Sequence, residues 1–175
     1  MADPPKSTLK VRVYRPGDAS ACKRLYRDGL VDGRLASNDT GLDIDDIQSA
    51  YIRAPGGCFW VSEDAGQVVG MIGVQHHDSE AAEIRRLRVR RDHRRKGVGT
   101  ALIEQALKFC VERQYLKVTL DTCVDRDLAI KLFDKFHYKL SRSRNVAERS
   151  LLYFYLDLYH GEPRPRRADG RPAAA

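Results

Sequence analysis

A glycine-containing turn flanked by arginines is the part of this 175-residue chain whose residue types most directly suggest chemistry. It reads Arg-Arg-Lys-Gly-Val-Gly-Thr over residues 94–100, between a strand pattern and an amphipathic helix pattern. Glycine permits a left-handed backbone and a close approach by a ligand. The first amides of a helix lack partners within it, and the helix dipole adds partial positive charge there. The turn therefore predicts a binding site for a phosphate or pyrophosphate.

Spacing excludes two common kinds of nucleotide site. A dinucleotide-binding fingerprint needs Gly-x-Gly-x-x-Gly, whereas Leu102 stands where the third glycine belongs. A P-loop needs Gly-x-x-x-x-Gly-Lys-Ser/Thr, and that pattern does not occur in the sequence. A turn whose glycines only relieve backbone strain stays an alternative interpretation at this point.

The residues before the turn predict a strand with one inserted residue. Ile84 is out of phase with Leu87 and Val89, which share a face in a period-two pattern. A β-bulge produces this pattern, and bulges often redirect backbone groups beside a functional site. After the turn, residues 100–114 carry apolar side chains at helical spacing.

Composition and charge narrow the class of protein. The chain is 42% hydrophobic and 31% charged, as globular domains commonly are, and its length suits one domain. Its net charge of +7 suits an anionic partner such as nucleic acid, a membrane headgroup or a phosphate-bearing coenzyme. Seven arginines and one lysine lie within residues 85–96, so the positive charge is concentrated near the turn.

Four scattered cysteines, a polar start and short apolar runs predict a cytoplasmic protein without a membrane segment. Cys22, Cys58, Cys110 and Cys123 form no Cys-x-x-Cys pair, which favours reduced core thiols over a metal site or a disulfide. The polar N-terminal residues do not resemble a signal peptide. The longest apolar run, residues 151–156, is too short to cross a bilayer.

The turn needs a scaffold, and the sequence pattern predicts the order β-αα-βββ-α-β-α-ββ. One helix should begin after Asp18, which can cap it, and a second should run from Asp43. The strand over residues 117–121 follows a helical crossover, so it should lie parallel to the strand before the turn. A later helix from about Asp125 should bury apolar residues that include Leu128.

These elements predict one domain over residues 10–159. Residues 1–9 show no strong pattern and predict a flexible N-terminus. Residues 160–175 are rich in proline and arginine and predict a disordered basic tail.

The motif around the turn resembles the acetyl-CoA motif of the GNAT superfamily of N-acyltransferases. The match is Arg-x-x-Gly-x-Gly over residues 94–99, preceded by the strand of residues 87–89 and followed by a long helix. The resemblance covers roughly residues 10–160. It implies the α/β (α+β) GNAT fold, which has a mixed central sheet of about seven strands with helices on both faces. Acetyl-CoA would then lie where two parallel strands splay apart at the bulge.

Three further stretches are similar to the branch that contains N-acetylaspartate synthetase and cysteine-conjugate acetyltransferases. They are Gly-Cys-Phe-Trp-Val from residue 57, Val-Val-Gly-Met-Ile from residue 68 and Leu-Asp-Thr from residue 120. The resemblance implies acetyl transfer from acetyl-CoA to a primary amine of a small molecule, amino acid-like or polyamine-like. One alternative is a protein or peptide N-acetyltransferase, and another is a catalytically weak acyl-CoA-binding protein.

A nucleic-acid-binding module is less favoured by the sequence. Successive side chains of a strand face opposite ways, so the arginine run cannot form one continuous patch. The family resemblance also leaves a homodimer open.

The resemblance implies which residues would contact the coenzyme. The backbone of Leu87, Arg88 and Val89 would pair with the pantetheine arm, and Arg94 stands at the first position of the motif. Amides of the turn would hold the pyrophosphate. The residues that supply them are Arg95, Lys96, Gly97, Val98, Gly99 and Thr100.

The resemblance also implies catalytic positions, and it implies no metal. Glu83 matches the catalytic glutamate of histone-acetylating members, and Asp121 matches the base of ribosomal-protein-acetylating members. A salt bridge or a helix cap is the structural alternative for each carboxylate. Phe133 stands where many members have a tyrosine that protonates the departing thiolate. Tyr138 is a conceivable replacement, but packing in the core of a strand is the favoured role for it. Arg126 stands where many members have an asparagine that contacts the coenzyme.

Overall fold

The computed structural model describes residues 9–30, 39–123, 127–146 and 149–159. The strands are β1 (Lys10–Val13), β2 (Cys58–Asp64), β3 (Gln67–His76), β4 (Ala81–Val89), β5 (Lys117–Cys123), β6 (Lys139–Val146) and β7 (Arg149–Asp157). The helices are α1 (Ala19–Asp28), α2 (Leu42–Asp45), α3 (Val98–Glu112) and α4 (Asp127–Lys135), with a π-helical turn over Gln48–Ile52. This order agrees with the predicted one.

The strands form a single seven-stranded sheet in the order β1-β2-β3-β4-β5-β7-β6. Among the strands of the described residues, only β4 and β5 are parallel, and the other neighbouring strands are antiparallel. Helix α3 supplies the crossover that a parallel connection needs. The predicted mixed sheet and its one parallel pair are therefore confirmed.

Alternating side chains of the strands build a core on each face of the sheet. On β2, Trp60 packs in the larger core, which includes residues of α3 and α4. Phe59 and Val61 point the other way, into a core shared with α1, α2 and the π-helical turn. Helices thus lie on both faces, as the period-two pattern of β2 requires.

Three local predictions are wrong. Asp18 does not cap α1 with its side chain, because its carboxylate accepts hydrogen bonds from Arg12 (2.8 Å) and from the Arg15 backbone N–H (2.8 Å). The second helix is broken after Asp45, where the Asp46 carboxylate accepts the Ser49 backbone N–H and competes with helix formation. A third difference concerns α4.

Leu128 was predicted to be buried, but it is 48% exposed. Its side chain borders the large cleft that separates β4 from β5. Helix α4 nevertheless packs on the sheet, because Phe133 is buried and Leu132 and Phe136 pack against the same core.

Several predictions fall at the limits of the described residues. Residues 1–8 and 160–175, and with them the predicted flexible N-terminus and basic tail, lie outside the described residues. Cys22, Cys58 and Cys110 are unpaired thiols, and the side chain of Cys123 is not described. In the described ranges, no helix has the length and apolar character needed to span a membrane.

Gly73 should be intolerant of any side chain. A Cβ atom there would lie 2.5 Å from Cε1 of Tyr51 and 2.9 Å from Cδ2 of Phe59, and both rings are fully buried. Gly73→Ala is expected to lower the free energy of unfolding by about 1–3 kcal/mol, measured by urea denaturation. Gly17→Ala is the matched control, because a Cβ there meets nothing within 4 Å. Equal urea midpoints for the two variants would contradict this packing.

Candidate active site

Strands β4 and β5 are paired along only part of their length and then separate. Their register pairs run only from Ala81↔Lys117 to Glu83↔Thr119, although β4 continues to Val89 and β5 to Cys123. A cleft of about 1040 Å³ opens where the strands separate. Ten of the residues singled out from the sequence line it: Glu83, Leu87, Arg88, Val89, Arg94, Arg95, Gly97, Gly99, Thr100 and Asp121.

The predicted bulge in β4 lies at Arg86 and Leu87. Gly73 pairs with Arg85 and Met71 pairs with Arg88, so both bulge residues oppose Ile72. Arg86 adopts a left-handed conformation with φ 59°, which is uncommon for a residue other than glycine. The last register pair with β5 is at Glu83, just before the bulge, and the extra residue turns the following part of the strand away from β5.

The turn before α3 presents backbone amides to the cleft. Gly97 precedes the helix with φ 83°, a conformation that suits glycine. No described side chain caps the first turn of α3, so its N–H groups stay available. Arg94 donates from Nε to the Val89 carbonyl (3.2 Å), which places its guanidinium beside the end of β4. This arrangement can hold an anion through amides, the helix dipole and full charges.

Three of the residues predicted to bind the coenzyme are not among the residues that line the cleft. Lys96 is exposed and does not border the cleft. The Val98 side chain is buried in the core, so only its backbone could serve a ligand. Arg126 lies outside the described residues.

Helix α4 adds two cations that the sequence reasoning missed. Lys131 and Lys135 both line the cleft, and the Lys135 ammonium lies 3.4 Å from the Thr100 hydroxyl at the start of α3. The available signal was their spacing of four residues, which places both on one face of an amphipathic helix. Lys135 thus lies beside the start of α3, which follows the arginines of the turn.

A buried ion cluster holds the bulge, and it too was missed. The Arg86 side chain is only 6% exposed. Its guanidinium donates to both oxygens of Asp39 (2.6 and 2.8 Å) and to Asp43 from Nε (2.7 Å). The Tyr51 hydroxyl also donates to Asp43, and the Tyr26 ring lies 5.0 Å from the guanidinium carbon. Two carboxylates therefore neutralise one buried cation.

The ion cluster shifts the acidity of its carboxylates. Burial alone would raise the pKa of Asp39, but hydrogen bonds and charge from Arg86 outweigh it and lower the pKa to about 2. The pKa of Asp43 is also lowered, since hydrogen bonds from Arg86 and Tyr51 outweigh its burial. Both carboxylates thus stay ionised and bound to Arg86 at neutral pH.

The two candidate bases lie on one face of the sheet. Glu83 pairs with Thr119, and Asp121 follows two residues later on the same side of β5. Burial raises the pKa of Glu83, Arg85 opposes that shift from 3.8 Å, and the charge of Asp121 adds to it. Burial also raises the pKa of Asp121, and the charges of Arg85 and Arg86 oppose that shift. The residue lines the cleft and is exposed there. A carboxylate with a raised pKa is the stronger base.

The position expected to carry an acid has no ionisable side chain. Phe133 lines the cleft with its buried ring. Tyr138 packs 5.9 Å from that ring, centroid to centroid, and does not line the cleft. Burial raises the pKa of Tyr138, and its hydroxyl has no hydrogen-bond partner among the described residues. This geometry places Tyr138 in the core rather than within reach of a ligand.

Comparison with known proteins gives one family match. The model of the acetyltransferase (GNAT) family matches residues 23–138, which include both walls of the cleft. Among curated relatives, N-acetylaspartate synthetase of Xenopus tropicalis is 33% identical over 98 residues, which are 55% of this chain and 36% of the relative. Human N-acetyltransferase 8 is 34% identical over 102 residues, which are 55% of this chain and 45% of the relative. The chain therefore spans less than half the length of these two relatives.

Solved structures match over most of the chain. The yncA protein of Salmonella typhimurium, solved with its cofactor acetyl-CoA, gives a TM-score of 0.75 at 19% identity. The alignment covers 90% of this chain and 98% of that one. At this identity the likeness concerns the fold.

Arg86→Met should destabilise the protein by up to about 3–5 kcal/mol at pH 7, because it leaves two half-buried carboxylates without a cation. The lowered pKa values of Asp39 and Asp43 stabilise the fold above about pH 4, and this contribution is lost as the pH falls toward about 2. The gap between wild type and variant should therefore shrink on acidification. Chemical denaturation at several pH values measures it.

Arg85→Met is the matched control for this experiment. Its side chain is 37% exposed and contacts Glu83 only at 3.8 Å, so little loss of stability is expected. A loss for Arg86→Met that is no larger than for Arg85→Met, or that does not change with pH, would count against the ion cluster.

Proposed function

The chain belongs to the acetyltransferase (GNAT) family, and from that premise we propose that it transfers an acetyl group from acetyl-CoA to the primary amine of a small molecule. One observation carries the proposal. A single cleft holds an anion-binding helix terminus at one end and two carboxylates of raised pKa beside the splayed strands. A coenzyme with phosphates and a reactive thioester needs both.

The phosphate end of the coenzyme would lie against the start of α3. The amides of Val98, Gly99 and Thr100 begin the helix without a described side-chain cap, and Arg94 and Arg95 line the same part of the cleft. A helix N-terminus with flanking cations binds pyrophosphate through its amides and its dipole. The Salmonella neighbour of the same fold was solved with acetyl-CoA, which agrees with this use of the cleft.

The pantetheine arm would follow β4 beyond the bulge. From Arg86 onward the strand has no partner in β5, so its edge is exposed to the cleft along Leu87, Arg88 and Val89. An extended amide-containing arm can pair with such an edge as a strand would. The backbone near Val89 would then lie close to the thioester and could stabilise negative charge that develops on its oxygen.

Glu83 is the base that we favour. An amine with a pKa of ~10.4 is almost wholly protonated at pH 7 and must lose a proton before it attacks a thioester. Glu83 lines the cleft, its pKa is raised by burial, and Asp121 lies on the same face as a second acceptor of the proton. The departing thiolate would take its proton from water, since Phe133 cannot supply one and Tyr138 is buried away from the cleft.

The names of the relatives favour a small acceptor. N-acetylaspartate synthetase is named for a small amino acid product, and the residues that match it make up 55% of this chain. A second candidate function, acyl-CoA binding with weak catalysis, is favoured by one observation, namely the phenylalanine at position 133. Release of coenzyme A with a panel of amines separates the two functions.

Gly97→Val and Gly99→Val should abolish acetyl-CoA binding and leave the fold largely intact. Valine is strained at the φ of 83° that Gly97 adopts, and a side chain at Gly99 would project into the cleft lining. Acetyl-CoA at 100 times its dissociation constant should stabilise the wild type by about 2.7 kcal/mol in thermal unfolding. Gly17→Ala should retain that stabilisation. Undiminished stabilisation in both valine variants would argue against the binding site.

Glu83→Gln should lower kcat by about 10²- to 10⁴-fold near pH 7 and by less near pH 10, where the amine loses its proton unaided. The measurement is coenzyme A release as a function of pH. Asp121→Asn serves as the paired variant. If Asp121→Asn shows this profile and Glu83→Gln keeps the wild-type profile, the base is Asp121.

A further inference from the structure

The sheet face beyond the cleft carries tyrosines covered by cations. Arg142 on β6 lies over the Tyr153 ring of β7, with 4.4 Å from the guanidinium carbon to the ring centroid. The Tyr155 ring has the ammonium of Lys117 at 5.6 Å and that of Lys139 at 5.9 Å. We name these five residues the basic sheet face.

The basic sheet face lies on the same side of the sheet as both candidate bases. Residues that pair directly across strands share a face. One row of register partners runs Lys139, Tyr155, Thr119 and Glu83. The next row runs Arg142, Tyr153 and Asp121. Each row therefore leads from a cation over a tyrosine to a carboxylate that could deprotonate an amine.

This part of the sheet is open in the described structure. Helix α1 packs on β3 and β4, and the π-helical turn packs on β2 and β3. Neither makes an extensive described contact with β5, β6 or β7. Lys117, Lys139 and Arg142 are exposed, whereas the two tyrosines are half-buried. A ligand in the cleft could extend onto this surface without displacing a described helix.

The charge of the basic sheet face selects the chemistry of its ligand. Within the described residues, Lys117, Lys139 and Arg142 form no ion pair with a carboxylate. The tyrosine rings fix the directions of these cations, since a ring face attracts positive charge. Asp157 is the register partner of Lys117 and offsets its charge, so the excess positive charge of this face lies at Lys139 and Arg142. These two cations attract an anion and repel a polyamine.

The strand spacing sets the length of the acceptor. Adjacent strands lie about 4.8 Å apart, so Arg142 on β6 and Asp121 on β5 are separated by about 10 Å across the sheet. We infer that the acceptor is an amine that also carries an anionic group up to about 10 Å away, and that the basic sheet face binds that group. This inference rests on the proposed function and specifies its substrate class.

A series of amines tests the inference. The acceptors are glycine, 4-aminobutyrate, 6-aminohexanoate and 8-aminooctanoate, each beside its carboxamide, with spermidine as a cationic acceptor. We expect kcat/KM for the carboxylates to rise with chain length. For the longer acceptors, kcat/KM of each carboxylate should exceed that of its own carboxamide by about tenfold. Spermidine should give the lowest kcat/KM. Equal use of carboxylates and amides, or a preference for spermidine, would overturn the inference and leave the proposed acetyl transfer intact.

Variants locate the anion site. Arg142→Gln and Lys139→Gln should each raise KM for 6-aminohexanoate by about five- to tenfold, with KM for acetyl-CoA and KM for the amide unchanged. Lys108→Gln is the matched control, because it removes the same charge from an exposed position on α3. Equal effects of all three variants would show that only net charge matters and would overturn the inference.

A binding measurement keeps the two proposals separate. Adipate carries two carboxylates and no amine, and adipamide is its uncharged counterpart. Adipate should raise the melting temperature of the wild type more than adipamide does, and the Arg142→Gln/Lys139→Gln double variant should lose that difference. A double variant that keeps the difference overturns the inference. Failure of acetyl-CoA to bind would overturn the proposed function, while the adipate result would still decide the anion site.

Two other occupants of the basic sheet face would also be detected. Light scattering that gave twice the mass of 19.8 kDa, with dissociation in Arg142→Gln, would assign the face to a second copy of the chain. Salt-dependent binding of a single-stranded oligonucleotide that is lost in Arg142→Gln would assign it to nucleic acid. Either result would overturn the inference.

Discussion

The cleft depends on a single buried guanidinium. Arg86 occupies the extra position of the β4 bulge in a left-handed conformation, which a non-glycine residue adopts only with support from its surroundings. Asp39 and Asp43 supply that support by neutralising its charge and accepting its hydrogen bonds. The bulge in turn ends the pairing of β4 with β5 beyond Glu83. The ion cluster therefore holds the bulge that follows the last register pair of β4 with β5.

The separated strands divide the two ends of the proposed reaction between the two faces of the sheet. Helices α3 and α4 lie on one face and bring amides and lysines toward the proposed position of the coenzyme. The other face carries Glu83 and Asp121 and continues onto the cations of β6. An acceptor and a coenzyme could therefore enter from opposite sides and meet only at the gap. Both carboxylates line this gap, where desolvation raises their pKa values.

Local patterns in the sequence predicted the local parts of this site. The turn at residues 94–100 and the phase change between Ile84 and Leu87 lie within short stretches, where spacing reports backbone geometry directly. The partners of Arg86 could not be found that way. Asp39 lies 47 residues before Arg86 in the sequence, and no helix or strand pattern relates the two positions. The contact of Arg142 with the Tyr153 ring could not be predicted from the sequence for a related reason. It depends on a register shift between β6 and β7 beside Leu140, and pattern alone does not specify such a shift.

Strand β6 forms one edge of the sheet, and this position has a consequence for solubility. An edge strand exposes unpaired backbone groups that can pair with an extended segment of another molecule, and lysine and arginine side chains discourage such aggregation. Lys139, Arg142 and Arg144 place three positive charges along this edge. Any replacement of these cations would therefore have to introduce other residues that keep the edge from aggregating.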